Sequence, residues 1–297
     1  SSAIALACQN FPLRVPEPYL ERIEIGNSQD PLLLQVLPQT AELLEQPGFV
    51  SDPLDESAHN PVPGLVHKYG SRVLLISTSL CAVHCRYCFR REFPYQDNRN
   101  SRLDWQQALH YIRQHSEVNE VILSGGDPLS LPDKQLAWLT EHIAAIPHIT
   151  RLRIHTRLPV VIPQRLTDSL LHTLSNSRLQ TVMVLHCNHP NEVDAAVADA
   201  IGRLRRAGIT VLNQSVLLAN INDNADTLAD LSERLFAAGC LPYYLHVLDK
   251  VKGSHHFALG DQRAVAIHRK LQALLPGFLV PRLVRENAGK PSKSWLV

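Results

Sequence analysis

Net charge is almost absent from this chain of 297 residues, whose 29 Lys and Arg are balanced by 28 Asp and Glu to leave +1 at neutral pH. A sequence so balanced carries no basic footprint for nucleic acid. Long apolar runs are missing too, since none reaches the roughly 18 residues of a membrane-spanning helix. The opening stretch Ser1 to Cys8 lacks the charged start and long apolar centre of a secretory signal peptide. Cys8, Cys187 and Cys240 show no disulfide-framework spacing. Repeats, low-complexity tracts and charge runs are likewise missing. What remains is a cytoplasmic enzyme-like chain, 45% hydrophobic and long enough for a large core.

One cluster stands against this plain background. Cys81-Ala-Val-His84-Cys85-Arg-Tyr-Cys88 is a C-x3-C-x2-C run that supplies three thiolates and no fourth. Iron–sulfur clusters are normally held by four thiolates, so a cluster on these three keeps one iron open for a substrate or cofactor. Structural zinc prefers four ligands, and His84 is awkwardly set to be the fourth. An oxygen-sensitive cluster suits a reducing compartment. Further on, Val121-Ile-Leu123 runs into Ser124-Gly125-Gly126-Asp127-Pro128. Glycines there let the backbone approach a ligand closely, although such a tetrapeptide is ordinarily only a turn.

Residues 1–68 are Pro-rich with short apolar runs and read as an irregular, partly helical lead-in. From Arg72 the rhythm changes to short β-branched runs at Arg72–Thr78, Glu120–Ser124, Arg151–His155, Gln180–His186, Ile209–Gln214 and Pro242–Val247. Helix-period segments lie between most of them, near 104–116, 133–146, 164–175, 191–207, 225–239 and 261–275. This alternation predicts parallel strands with crossover helices. Six units are too few for an eight-fold barrel, and function is expected at the C-terminal ends of the strands.

The cysteine spacing and the glycine turn together resemble the radical S-adenosylmethionine (SAM) superfamily. The resemblance implies a [4Fe-4S] cluster on Cys81, Cys85 and Cys88, and SAM chelated to its open iron beside Ser124, Gly125, Gly126 and Asp127. It also implies an α/β fold, a partial (β/α)6 TIM-like barrel over 69–276, with the extension 1–68 before it and a C-terminal segment 277–297 after it. Phe278–Leu283 is a candidate extra edge strand.

Four longer motifs narrow the resemblance. They are Val62-Pro-Gly-Leu-Val-His-Lys68-Tyr69, Cys85-Arg-Tyr-Cys88-Phe-Arg90-Arg91, His186-Cys-Asn188-His189-Pro190-Asn191-Glu192 and Asn213-Gln214-Ser215-Val216-Leu217-Leu218. Together they look like the lysine 2,3-aminomutase family, over about residues 60 to 293. Within it, Tyr95, the turn Asp249-Lys250-Val251 and the short C-terminal ending look closest to bacterial members that make β-lysine for modifying elongation factor P.

The implied activity is that of an isomerase, moving the amino group of L-α-lysine from C2 to C3. Taking hydrogen from an unactivated carbon is beyond any side-chain base at neutral pH, so cofactors must carry it. The family pattern is reductive cleavage of SAM to a 5′-deoxyadenosyl radical, with pyridoxal 5′-phosphate (PLP) joined to the migrating amine. PLP needs a resting lysine, and the candidates are Lys290 and Lys293. The family's lysine stands seven residues after an acidic one, which selects Lys293 after Glu286. Only Gly289 remains there of the family's usual glycine run. The resemblance further implies Arg90 as a fork for the substrate carboxylate, and Asp249 with Glu286 for its ammonium. Lys68 and Tyr69 fall near the PLP phosphate and ring, and His186 and Gln214 line the chamber. Zinc is not expected, because Asn224 stands where longer relatives carry a zinc cysteine and no cysteine cluster ends the chain. A reductant such as flavodoxin or ferredoxin is an implied partner, alongside the elongation factor P lysyl-ligase pathway. The alternatives are a radical SAM aminomutase for glutamate or arginine, a radical SAM activase, and a binding protein that has lost catalysis.

Overall fold

A computed structural model describes residues 2–93, 101–287, 289–290 and 292–297, and among them nine strands form one sheet in the order β1 to β9. They are β1 (Leu65–Tyr69), β2 (Arg72–Thr78), β3 (Glu120–Gly125), β4 (Arg151–Thr156), β5 (Gln180–His186), β6 (Thr210–Leu217), β7 (Leu241–Val247), β8 (Arg282–Arg285) and β9 (Ser294–Trp295). Every neighbouring pair from β2 to β8 is parallel. The sheet is not closed: β1 and β9 each add antiparallel to one edge. This is the open, partial barrel expected from the sequence. It gains one parallel strand, because β8 pairs with β7 and is itself covered by β9.

The lead-in holds α1 (Ser2–Asn10), α2 (Glu17–Leu20) and α3 (Pro31–Leu34), and the barrel adds α4 (Arg102–Gln114), α5 (Asp133–Ala144), α6 (Leu158–Val161), α7 (Asp168–Ser175), α8 (Ala195–Arg206), α9 (Ala225–Ala238) and α10 (Asp261–Leu274). Several starts are written in the sequence. Ser101, Thr167, Asp194 and Asn224 are N-caps whose side chains accept from backbone N–H groups of the first turn. Asn224 thus has a structural task at the head of α9. Gly239, with φ +101°, closes the same helix in a left-handed conformation that a side chain would strain.

Alternation along the strands decides which face meets the helices. In β4, Leu152 and Ile154 are fully buried while Arg153 and His155 are only partly so. The buried set packs against Trp105, Leu109 and Ile112 of α4, Leu136 and Leu139 of α5, and Ile201 and Leu204 of α8 in one core. Full barrels fill their interior with apolar layers. Here the inward residues Glu120, Arg153, His155, His186, Gln214 and His246 are polar instead and surround a cavity of about 820 Å³. That volume lies in the upper part of the range of small-molecule sites.

Two expectations need correcting. The lead-in is partly helical, but β1 also crosses its expected end at 68, and its side chains reach deep into the barrel top, as described below. The predicted strand over 278–283 begins later, at Arg282, because Gly277–Leu279 forms a short 3-10 turn.

Candidate active site

Cys81, Cys85 and Cys88 lie in the loop after β2, and all three line the cavity. Burial, then the neighbouring Cys88, Asp127 and Cys85, push the Cys81 thiol far up, and burial with Cys85 pushes Cys88 to about 11. Thiols such as Cys81 and Cys88, held up by burial next to one another, suit a shared cationic iron centre, because metal ligation favours the thiolate. Among the described residues no His, Cys, Asp or Glu trio is close enough to grip a single metal ion. His84 is engaged elsewhere: its Nδ1 lies 2.7 Å from the Pro12 carbonyl, and its ring stacks on Phe11.

The glycine turn holds this loop. Gly126 N–H donates to Thr78 O and Asp127 N–H to Leu80 O, each at 2.7 Å. A Cβ on Gly125 would sit 2.6 Å from Thr78 O, and one on Gly126 would sit 2.3 Å from Leu80 O. Both positions therefore demand glycine for backbone-to-backbone packing, and Ser124, Gly125 and Gly126 still face the cavity. Asp127 is buried and accepts from Leu129 N, Thr156 Oγ1, Arg157 N and Leu158 N. It anchors the turn into α6, with its carboxylate fully committed to protein donors.

Arginines surround the loop, and carboxylates meet them. Arg86, completely buried, takes both oxygens of Glu42, and Arg91 shares that carboxylate at 2.9 Å. Arg90 offers Nε and Nη2 to Glu56 at 2.8 and 2.7 Å, and Nη1 to Ser124 Oγ at 2.9 Å. Arg157 donates to Cys85 Sγ and Tyr87 Oη at 2.8 Å, and to Glu192 at 2.8 Å. Glu42 and Glu56 come from the lead-in, so that segment braces the cysteine loop.

The opposite wall carries amines and acids. Lys293 Nζ lies 2.5 Å from Glu286 Oε2, Lys68 Nζ lies 3.6 Å from Oε1, and Tyr69 Oη donates to the same Oε1 at 3.3 Å. Burial pushes Glu286 up, but Lys293 and Lys68 more than offset it and draw the carboxyl down to about 2. Asp249 has the reverse balance. Burial raises it to about 7, Lys293 opposing and Glu286 and Glu56 assisting. Its carboxylate makes no hydrogen bond or ion pair among the described residues. Lys290 is exposed and outside the cavity, so only Lys293 of the two candidates faces it. His186 accepts from or donates to Tyr87 Oη at 2.9 Å, and burial lowers it to about 3, as it does His246. Among the described residues, His155 Nε2 is buried without a partner.

Residues 75–231 match the radical SAM superfamily. The L-lysine 2,3-aminomutase of Haemophilus influenzae is 55% identical over 96% of this chain and 84% of its own length. That of Escherichia coli is 54% identical over 96% of this chain and 83% of its own. The chain belongs to the L-lysine 2,3-aminomutase family of the radical SAM superfamily. A more distant member, from Clostridium subterminale, is 34% identical over 98% of this chain and 70% of its own length. A solved structure described as native anSMEcpe with bound AdoMet and Cp18Cys peptide shares the fold, with TM-score 0.50 and 15% identity over 68% of this chain and 58% of that one. Superfamily membership implies the [4Fe-4S] cluster and SAM, and the three cavity thiols and the glycine turn fit them. Among the described residues no helix is long and apolar enough to cross a membrane.

For this family member, the structure gathers the sequence-predicted site residues round one cavity, the alternative candidate Lys290 excepted. Tyr95 lies outside the described residues. Missed from sequence were Glu56, Arg157, His155 and His246, and the lead-in residue Glu42 behind them. The two histidines had a signal, since each occupies an inward position of its strand, as Arg157 follows the C-terminal end of β4. Glu42 and Glu56 had none, being ordinary surface-type residues in an irregular segment.

Proposed function

We propose that this chain converts L-α-lysine to β-lysine by 2,3-amino migration, with SAM and a [4Fe-4S] cluster at the cysteine end and PLP on Lys293. The observation that carries the reading is the pairing of Lys293 with Glu286 beside an unpaired Asp249, in the same cavity as the three cysteines. The names of the relatives at 55% and 54% identity support lysine as substrate. When bound, the cluster and SAM supply a radical able to take an unactivated hydrogen, and PLP supplies the carbonyl that holds the migrating amine.

The chain's residues bind and orient. Lys293 is the amine available for PLP, and Lys68 offers a point charge to its phosphate. Glu286 would hold the Lys293 ammonium whenever that amine is free. Asp249 then takes the substrate's distal ammonium, a charge that could not be buried unpaired. Arg90 meets the substrate carboxylate with its position fixed by Glu56 and Ser124. His186 and Gln214 line the chamber between the two ends, His186 as a neutral imidazole held by Tyr87. An electron donor such as flavodoxin or ferredoxin would supply the electron that primes the cluster, and the product would serve modification of elongation factor P.

An anaerobic assay of reconstituted, reduced protein with SAM, PLP and labelled L-lysine tests this, α- and β-lysine being separated by chromatography and mass spectrometry. β-Lysine that disappears in Cys85→Ala is the expected result. SAM cleavage without β-lysine would retain the radical chemistry and reject lysine, turning the search to glutamate or arginine.

A further inference from the structure

The buried polar network around Arg157 reaches farther than any role assigned so far. Its guanidinium has one nitrogen, Nη1, 2.8 Å from both Cys85 Sγ and Tyr87 Oη. The other, Nη2, meets Gln35 Oε1 at 2.7 Å and Glu192 Oε2 at 2.8 Å. Arg157 is 5% exposed and Glu192 fully buried, so this is a charged pair locked inside the protein against a cysteine sulfur. Glu192 is held in turn by the backbone N–H of Asn188 at 2.9 Å and of His189 at 3.1 Å. Arg157's own backbone N–H is fixed by Asp127. Its geometry is therefore set from three sides, and Nε is left without a partner among the described residues.

A buried cation that donates a hydrogen bond to a ligating sulfur stabilises the electron-rich, reduced state of a cluster and raises its potential. We infer that Arg157 is a positioning residue that sets the reduction potential of the cluster through Cys85, with Glu192 as the counter-charge limiting the effect. The inference rests on the proposal that Cys81, Cys85 and Cys88 hold the cluster. Arg86 and Arg91 also lie near the loop, but they share the one carboxylate of Glu42 and neither donates to a cysteine sulfur in the described contacts.

The test is a redox titration of anaerobically reconstituted protein, with iron and sulfide counted first and the reduced cluster followed by electron paramagnetic resonance. At the wild-type midpoint, Arg157→Gln should cut the reduced-to-oxidised ratio about tenfold, a shift of ~59 mV for a one-electron couple. Arg157→Lys, which keeps the charge, should recover part of the loss. Glu192→Gln should move the ratio the other way, because it leaves the arginine charge less compensated. Opposite signs for the two glutamine variants are the signature that a merely structural role would not produce. Should Arg157→Gln fail to assemble a cluster, Glu192→Gln decides alone: a rise supports the inference and an unmoved potential overturns it. Variants with full iron and the wild-type potential overturn the inference while leaving the cluster intact. A wild-type protein that takes up no iron overturns the underlying cysteine reading, and the inference with it.

Discussion

At the cysteine end of the cavity every buried arginine has a carboxylate, Arg86 and Arg91 sharing Glu42, Arg90 taking Glu56 and Arg157 taking Glu192. At the amine end Glu286 serves both Lys293 and Lys68, while Asp249 has no ionic contact of its own among the described residues. Buried ions are tolerated when paired and hydrogen-bonded. The first end has its charges paired, with Arg91 Nε and Arg157 Nε left without hydrogen-bond partners among the described residues, and so behaves as a rigid cradle. The second leaves a carboxyl and the lone His155 nitrogen unmatched, which is what a wall shaped for a charged ligand looks like when considered by itself. A cluster must be held in one geometry, whereas a substrate must come and go.

The difference is sharpened most by removing the amine. Lys293→Ala should abolish β-lysine formation and, after borohydride treatment with PLP, abolish the covalent pyridoxyl label on that peptide. Lys290→Ala, on the exposed neighbour, should leave both unchanged. A label that stays with Lys290 would move the amine end out of the cavity altogether.

The cradle is tested by taking away its shared acid. Glu42→Gln leaves Arg86 and Arg91 buried against a neutral amide, and breaking a buried pair costs about 3–5 kcal/mol. The urea midpoint should fall accordingly, and iron content after reconstitution should fall with it. A variant of wild-type stability would mean that the lead-in merely covers the loop. A smaller loss is expected from Gly126→Ala, whose Cβ would meet Leu80 O at 2.3 Å and force the cysteine loop to move. Overpacking of this kind costs about 1–3 kcal/mol. Reduced iron occupancy at near-normal secondary structure, followed by circular dichroism and iron assay, is the expected pattern.

What the sequence made legible follows the same division. The strand runs were readable because short apolar, β-branched-rich stretches alternate with helix-period segments, and Arg72–Thr78 and Gln180–His186 match β2 and β5 end to end. The cysteines, the glycine turn and Lys293 were readable because their chemistry demands particular residues at short spacing. Hidden were the partners that satisfy charge across long separations, such as Glu42 with Arg86 or Glu192 with Arg157. A lone glutamate in a Pro-rich stretch looks solvated in sequence, and only folding shows that it is surrounded by arginines. The glycines illustrate a subtler gap. Their ligand-facing position was anticipated, but their tightest contacts are with the cysteine loop itself.

The finest separation of the two ends lies in Asp249. Asp249→Asn should raise the KM for lysine about ten- to hundredfold, the value of one hydrogen bond to a charged group, with kcat less affected. The pH dependence gives the sign. Burial lifts this carboxyl from 3.8 to about 7, so the empty folded protein keeps a proton that the unfolded chain releases. The stability contributed by that proton is complete below 3.8 and disappears as the pH rises through about 7. Lysine's ammonium can pair only with the ionised form. Binding at pH 6 should therefore expel a proton, and affinity should climb toward a plateau above pH 7. Calorimetry in two buffers of different ionisation enthalpy counts that proton directly. Wild type should release it and Asp249→Asn should not, whereas equal release by both would assign the substrate's ammonium to Glu286 alone and erase the contrast with the pre-paired cysteine end.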